Sequence, residues 1–211
     1  MSARLHRLAL LALLPLPLLT GCSTLLTVAY LVQPNDVPAE FNGLKGKKLA
    51  VVCRPIIELE FSDAGSARAL ASLVEGQIED NVSRATVVGQ HEVARWIDEN
   101  AWTDYQAVGE ALDTDYVVGI DLEEFRLHEG STLYRGRATM HVKVFDVAEK
   151  KVVFQKRFDD FAFPTNNAVP ATDLSENEFR GLFLQMISQR VSRLFHAYES
   201  RQVFAEESLA L

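Results

Sequence analysis

Apolar and polar positions alternate along this chain in a way that divides residues 47–200 into short strands and helices. Lys48–Arg54 carries the run Leu49-Ala50-Val51-Val52-Cys53 and is stopped by Pro55, which predicts a buried strand. Over Ala64–Val82, Ala67, Leu70, Val74, Ile78 and Val82 recur at spacings of three and four, with Glu75, Glu79 and Asp80 on the other side, so a helix is expected. Ala85–Gly89 reads as a second strand. Val93, Trp96 and Ile97 mark one short helix, Tyr105 to Leu112 another, and Asp115–Arg126 begins a longer third strand. From 133 to 147, Tyr134, Ala138, Met140, Val142 and Val144 alternate with Arg135, Arg137, Thr139, His141 and Lys143, the signature of a half-buried antiparallel strand. After a turn around Val147–Lys150, Val152, Phe154 and Phe158 mark one face of the next strand. A loop with Pro164, Asn166, Asn167 and Pro170 leads to the last helix. There Ser175 and Glu178 stand at capping-box spacing, ahead of a stripe formed by Phe179, Leu182, Phe183, Met186, Ile187, Val191, Leu194 and Phe195.

That order predicts an α/β (α+β) fold: one mixed sheet of about five strands, helices packed on one or both faces, and a long C-terminal amphipathic helix.

The N-terminus carries a different pattern. Arg4 and Arg7 precede an apolar stretch from Leu8 through Leu19, and Leu19-Thr20-Gly21-Cys22 closes it. This reads as a lipoprotein signal, residues 1–21, cleaved to leave Cys22 as the first residue and the site of lipidation. A thiolate is the nucleophile that takes up the lipid, so the motif needs cysteine. The apolar stretch is shorter than the roughly 20 residues of a membrane-spanning helix, and Pro15 and Pro17 disturb it. An uncleaved anchor is the alternative, because Leu25 through Val32 prolong the apolar character. Ser23 after the cysteine points to the outer membrane in the lipoprotein sorting pattern, with the domain on the periplasmic face. Residues 22–46, with Pro34, Pro38, Gly43 and Gly46, read as lipidated N-terminus and tether, 47–200 as the domain, and 201–211 as a C-terminal tail.

The formal charge of −8 becomes more negative once the signal and its two arginines are removed. Such a balance argues against nucleic acid as a partner and leaves membrane attachment to the lipid on Cys22. The second cysteine, Cys53, lies in a predicted core strand, where a buried free thiol is the ordinary reading.

Candidate chemistry is sparse. His91, His128, His141 and His196 are far apart and none has a second ligand at metal spacing, so neither metal nor cofactor is expected. No nucleophile motif or phosphate loop is present; Gly43-Leu44-Lys45-Gly46-Lys47-Lys48 precedes a strand instead of joining a strand to a helix. Asp121, Glu123 and Glu124 form a carboxylate group, but a turn near Gly130 would set Glu123 opposite Arg137 and Phe125 opposite Arg135, as structural cross-strand pairs. Arg135, Arg137, His141, Lys143 and Arg157 share the polar side of two adjacent strands, a positive stripe suited to an anionic partner. The other reading of these residues is a solvated face neutralised by Asp121 and Glu123.

Three stretches carry a family resemblance: Lys48-Leu49-Ala50-Val51-Val52, the segment from Val108 through Gly119, and the two strands Ala138–Phe154 around their turn. Over 47–200 the chain resembles the α/β domain shared by the N-terminal part of the Tol-system propeller protein, the curli-secretion lipoprotein and the lipoprotein activators of penicillin-binding proteins. The resemblance implies a non-enzymatic periplasmic module that binds other envelope proteins. No functional residue is carried over. The expected function is therefore a lipid-anchored binding or assembly accessory, with no small-molecule substrate identified. A subunit of an outer-membrane secretion complex and a periplasmic enzyme are the alternatives. A secretion pore would need amphipathic membrane strands, whereas the apolar side of the only long hairpin is claimed by the last helix.

Overall fold

The computed structural model describes residues 36–55 and 57–200; Cys22, the signal and residues 201–211 lie outside them. The elements in chain order are β1 (Asp36–Val37), β2 (Lys48–Pro55), α1 (Ile57–Asn81), β3 (Thr86–Val87), α2 (Gln90–Glu99) and α3 (Tyr105–Ala111). They continue with β4 (Tyr116–His128), β5 (Leu133–Asp146), β6 (Lys151–Phe163), β7 (Val169–Pro170), α4 (Glu176–Ser192) and β8 (Tyr198–Glu199). The main sheet runs β3-β2-β4-β5-β6, with β7 added on β5, and β1 pairs separately with β8. β2 lies parallel to β3 and β4, while β4, β5 and β6 are antiparallel in succession. The sheet is mixed, as expected.

Strand composition follows the layers. β2 and the first half of β4 are buried on both sides, so they read as continuous apolar runs. Leu49 and Val51 of β2, with Val118, Ile120 and Leu122 of β4, face Leu70, Val74 and Ile78 of α1 and Phe179, Phe183, Ile187 and Val191 of α4. On the other side, Ala50, Val52 and Val117 meet Val93 of α2 and Tyr105, Val108 and Leu112 of α3. β5 and β6 have only the first of these layers, and β5 accordingly alternates buried and half-buried. A ladder of aromatic rings anchors α4 to the sheet: Phe179 stacks on Tyr134 at 5.1 Å and Phe183 on Phe125 at 5.4 Å. Burying each such phenylalanine contributes about 1.5–3 kcal/mol. Gly136 makes the approach possible, because a Cβ there would lie 2.5 Å from the Phe183 ring. The capping box is in place, with Glu178 N–H donating to Ser175 Oγ and Ser175 N–H to Glu178 Oε2.

Four sequence expectations change. α1 begins at Ile57, seven residues before Ala64, in a stretch where the apolar spacing gives no cue. The strand expected at Ala85–Gly89 shrinks to the two residues of β3. Val152 is 43 % exposed, because a register shift between Val144 and Phe145 takes it off the apolar face and leaves Val153 packed on the core. The fold also starts well before Lys47. Leu44 is fully buried, the Phe41 N–H donates to the Leu194 carbonyl, and β1 pairs with β8, so residues 36–46 lie on the domain instead of forming free tether.

Candidate functional site

Among the described residues, the side of β5 and β6 away from α4, together with the distal half of β4, carries no helix. Its residues are set by period-two alternation. β5 contributes Arg135, Arg137, Thr139, His141 and Lys143, and the register puts His141 opposite both Asp121 of β4 and Arg157 of β6. The five cationic positions expected on one polar side therefore do share a face.

Four of them are engaged with acids. Lys143 Nζ donates to Asp121 Oδ2 at 2.7 Å. The Arg157 guanidinium holds Glu123 through two bonds of 2.7 and 2.6 Å and Asp159 through Nε at 2.7 Å. Arg137 Nη1 donates to Asp160 at 2.6 Å, and Arg135 reaches the Thr165 carbonyl at 3.0 Å and Glu129 at 3.4 Å. The side chain of Thr139 donates to Glu124, which also pairs with Arg126. The face is a lattice of alternating signs, not a band of bare positive charge. Its effect on titration is consistent: Arg157 holds the Glu123 carboxyl below the ordinary carboxylate range, and Arg137 does the same for Asp160.

The β4–β5 register differs from the expected one. Arg137 stands opposite Arg126, not Glu123, and Phe125 stands opposite Ala138. The hairpin centres near Ser131 instead of Gly130, which moves every pairing by two. A bulge between Leu122 and Glu124 adds one more step, undone by a second shift between Arg126 and His128, and leaves Glu123 unpaired in the ladder and bonded to Arg157.

At the inner border of the face sits Asp121, 8 % exposed. Its Oδ1 accepts from Arg54 Nε (3.0 Å) and Nη2 (2.8 Å) and from the Tyr105 hydroxyl (2.7 Å). Burial pushes this carboxyl up, but Lys143, Tyr105 and Arg54 outweigh it and hold it below its ordinary value. Sequence reading found Asp121 and Lys143 but not Arg54 or Tyr105, which come from β2 and α3. The parallel pairing of Arg54 with Asp121 across β2 and β4 is the signal that joins them, and it requires the strand order. The Arg54 guanidinium also lies over the rings of Trp102 (5.8 Å) and Tyr105 (5.5 Å).

Behind Arg54, between the end of β2, α1 and α2, is a cavity of about 250 Å³ lined by Cys53, Arg54, Arg68, Gln90, Ile97 and Trp102, among others. Cys53 is half-buried instead of fully internal, and burial followed by the Asp121 charge pushes its thiol pKa up. Among the described residues no group of three or more His, Cys, Asp or Glu side chains is placed to hold a metal ion, and no helix is long and apolar enough to cross a membrane.

No protein-family model matches the chain, and no curated protein does. Several solved structures align with the chain at low identity. The PelC dodecamer from Paraburkholderia phytofirmans aligns at 13% identity and a TM-score of 0.46, covering 76% of this chain and 95% of that one. Lipoprotein GNA1162 from Neisseria meningitidis aligns at 10% identity and a TM-score of 0.44 over 69% of this chain and 97% of its own. Protein XCC0632 from Xanthomonas campestris aligns at 14% and 0.43, over 76% and 88%. Bacterial lipoproteins thus stand among the structural neighbours of this chain, at identities that transfer no residue's role.

Proposed function

We propose that this chain is a lipid-anchored, non-enzymatic binding or assembly module of the bacterial envelope, held by Cys22 to the periplasmic face of the outer membrane. Its contact surface is the uncovered face of β4, β5 and β6, with Arg135, Arg137, His141, Lys143 and Arg157 at its centre. The observation that carries this reading is a broad sheet face, free of helix among the described residues, whose charged side chains are already held in fixed pairs. Side chains fixed in advance lose little further freedom when a partner docks. Interleaved charges set register and reject mismatched surfaces more than they attract from a distance. The partner is therefore an envelope protein presenting a matching mosaic of acids and bases, not a uniformly acidic surface. Lipid on Cys22 supplies membrane attachment, with about 0.8 kcal/mol for each buried methylene.

The test is photo-crosslinking in intact cells from a reactive amino acid at His141. One discrete adduct is expected, and Arg135→Glu, Arg137→Glu and Lys143→Glu together should abolish it. Adducts that persist unchanged in the triple variant would remove this face from consideration. Mass spectrometry of the mature N-terminus tests the anchor separately; an unmodified Cys22 would end the lipid-anchor reading.

A further inference from the structure

β6 is a 13-residue strand at the edge of the main sheet with β5 as its only long neighbour among the described residues, whereas the opposite edge, β3, has two residues. The open N–H and C=O groups of a long edge are a template for another strand. What fits is written in the order Arg157-Phe158-Asp159-Asp160, a cation before Phe158 and two acids after it on the uncovered face; Lys156, opposite Val142, lies on the covered side and bonds Glu40. An antiparallel strand reads such a segment backwards, so the segment is complementary to itself.

The local geometry sharpens the match. Phe158 pairs with Met140 and Phe161 with Ala138, so Asp159 and Asp160 together oppose the single residue Thr139 in a bulge, with Asp160 at φ 51°. Asp159 bonds Arg157 and Asp160 bonds Arg137, which puts both carboxylates on the uncovered face of the sheet. With a second copy laid antiparallel about Phe158, Arg157 of each copy meets the Asp159–Asp160 pair of the other on that same face. Beyond the bulge, Gln155 comes opposite Ala162 and Phe154 opposite Phe163, so the faces stay in phase. No existing bond has to break. Arg157 has five N–H donors, of which three are engaged, and each carboxylate can accept more than one bond.

We propose that the β6 edge pairs with the β6 edge of a second copy of this chain, antiparallel and centred on Phe158, to give a two-fold dimer with one continuous sheet. This inference is independent of the reading of the open face as a partner surface. Arg157 belongs to both surfaces and Asp160 pairs with Arg137, so the dimer is read from the mass of the purified chain alone, where no envelope partner is present.

The test uses the full-length chain purified in detergent, with its mass followed by sedimentation equilibrium and native mass spectrometry. The wild type is expected to dimerise. D159K/D160K makes the centre wholly cationic and R157E makes it wholly acidic. Each variant alone should associate about tenfold or more weakly, because like charges then stand opposite. Mixing the two should restore a one-to-one heterodimer. A wild type that stays monomeric, a variant that dimerises like the wild type, or a mixture that fails to pair while both variants keep the native circular dichroism spectrum would overturn the proposal. Should either variant misfold, Gln155→Cys mixed with Ala162→Cys replaces it. A disulfide found only in the mixture supports the register, and none under oxidising conditions overturns it.

Discussion

The Tyr105 hydroxyl donates to the Asp121 carboxylate at 2.7 Å while the Tyr105 ring lies flat on Gly119, two residues earlier on the same strand. One side chain of α3 thus reads both a missing side chain and a buried charge on β4. One prediction follows from each half of that contact.

A Cβ on residue 119 would lie 2.3 Å from Tyr105 Cζ and 2.6 Å from its Cε atoms. Gly119→Ala should therefore lower stability by about 1–3 kcal/mol, the usual cost of overfilling a packed site. Thermal melts of Gly119→Ala, Tyr105→Ala and the double variant check it. The double variant should lose less than the sum of the singles, because removing the ring removes the clash.

Asp121 governs part of the acid sensitivity. Its folded pKa lies below the ordinary value, so the native state binds fewer protons than the unfolded chain. Its contribution is fully present above the unfolded carboxylate pKa of about 3.9 and is lost as pH falls through the lower folded value. Asp121→Asn should cost about 1–3 kcal/mol at neutral pH, discounted for the partial exposure of Arg54 and Lys143. It should also make the stability curve below about pH 5 shallower. Glu123, Asp160, Glu176 and Glu178, all held low, keep some slope in the variant. Urea denaturation between neutral and acid pH measures both effects.

What the sequence disclosed and what it hid divide along physical lines. The alternation from Tyr134 to Val144 and the Ser175–Glu178 box are local signals, and both appear where they were read. Bulges are not local signals. The hairpin centres near Ser131, one residue past Gly130, which already denies Glu123 its expected place opposite Arg137. The extra residue at Glu123 then shifts Glu124–Arg126 by one more step, and the Glu123 side chain bonds Arg157. Leu44 was hidden for a different reason: a single buried leucine between Gly43 and Gly46 has no period to betray it. Arg54 and Tyr105 reach Asp121 only through strand order, which residue spacing does not encode.

The capping box gives a third prediction. Ser175→Ala should lower stability by about 0.5–2 kcal/mol, since an end amide of α4 loses its acceptor. Ser175→Asp should recover most of that loss. Chemical denaturation of the three proteins decides it, and equal midpoints would show that tertiary packing alone fixes the start of α4.

Cys53 supplies the fourth. Burial raises its thiol pKa, and the thiolate is the reactive form, so iodoacetamide at pH 8 should modify it far more slowly in the native protein than in urea. Mass spectrometry of the peptide containing Cys53 follows the reaction. Rapid native labelling would show that the cavity beside Trp102 admits reagent and lowers the pKa.

The small ladder of β1 and β8 brings the way into the fold beside the way out, with Asp36 against Glu199 and Val37 against Tyr198. Just inside it, the Phe41 ring is wedged between Tyr116 (6.3 Å) and Phe154 (5.3 Å), and its N–H is tied to Leu194. A pull from the N-terminal side is therefore received by a short strap fastened to the far end of α4. Any force entering at the N-terminal side meets β1, β8 and Phe41 before it meets β2.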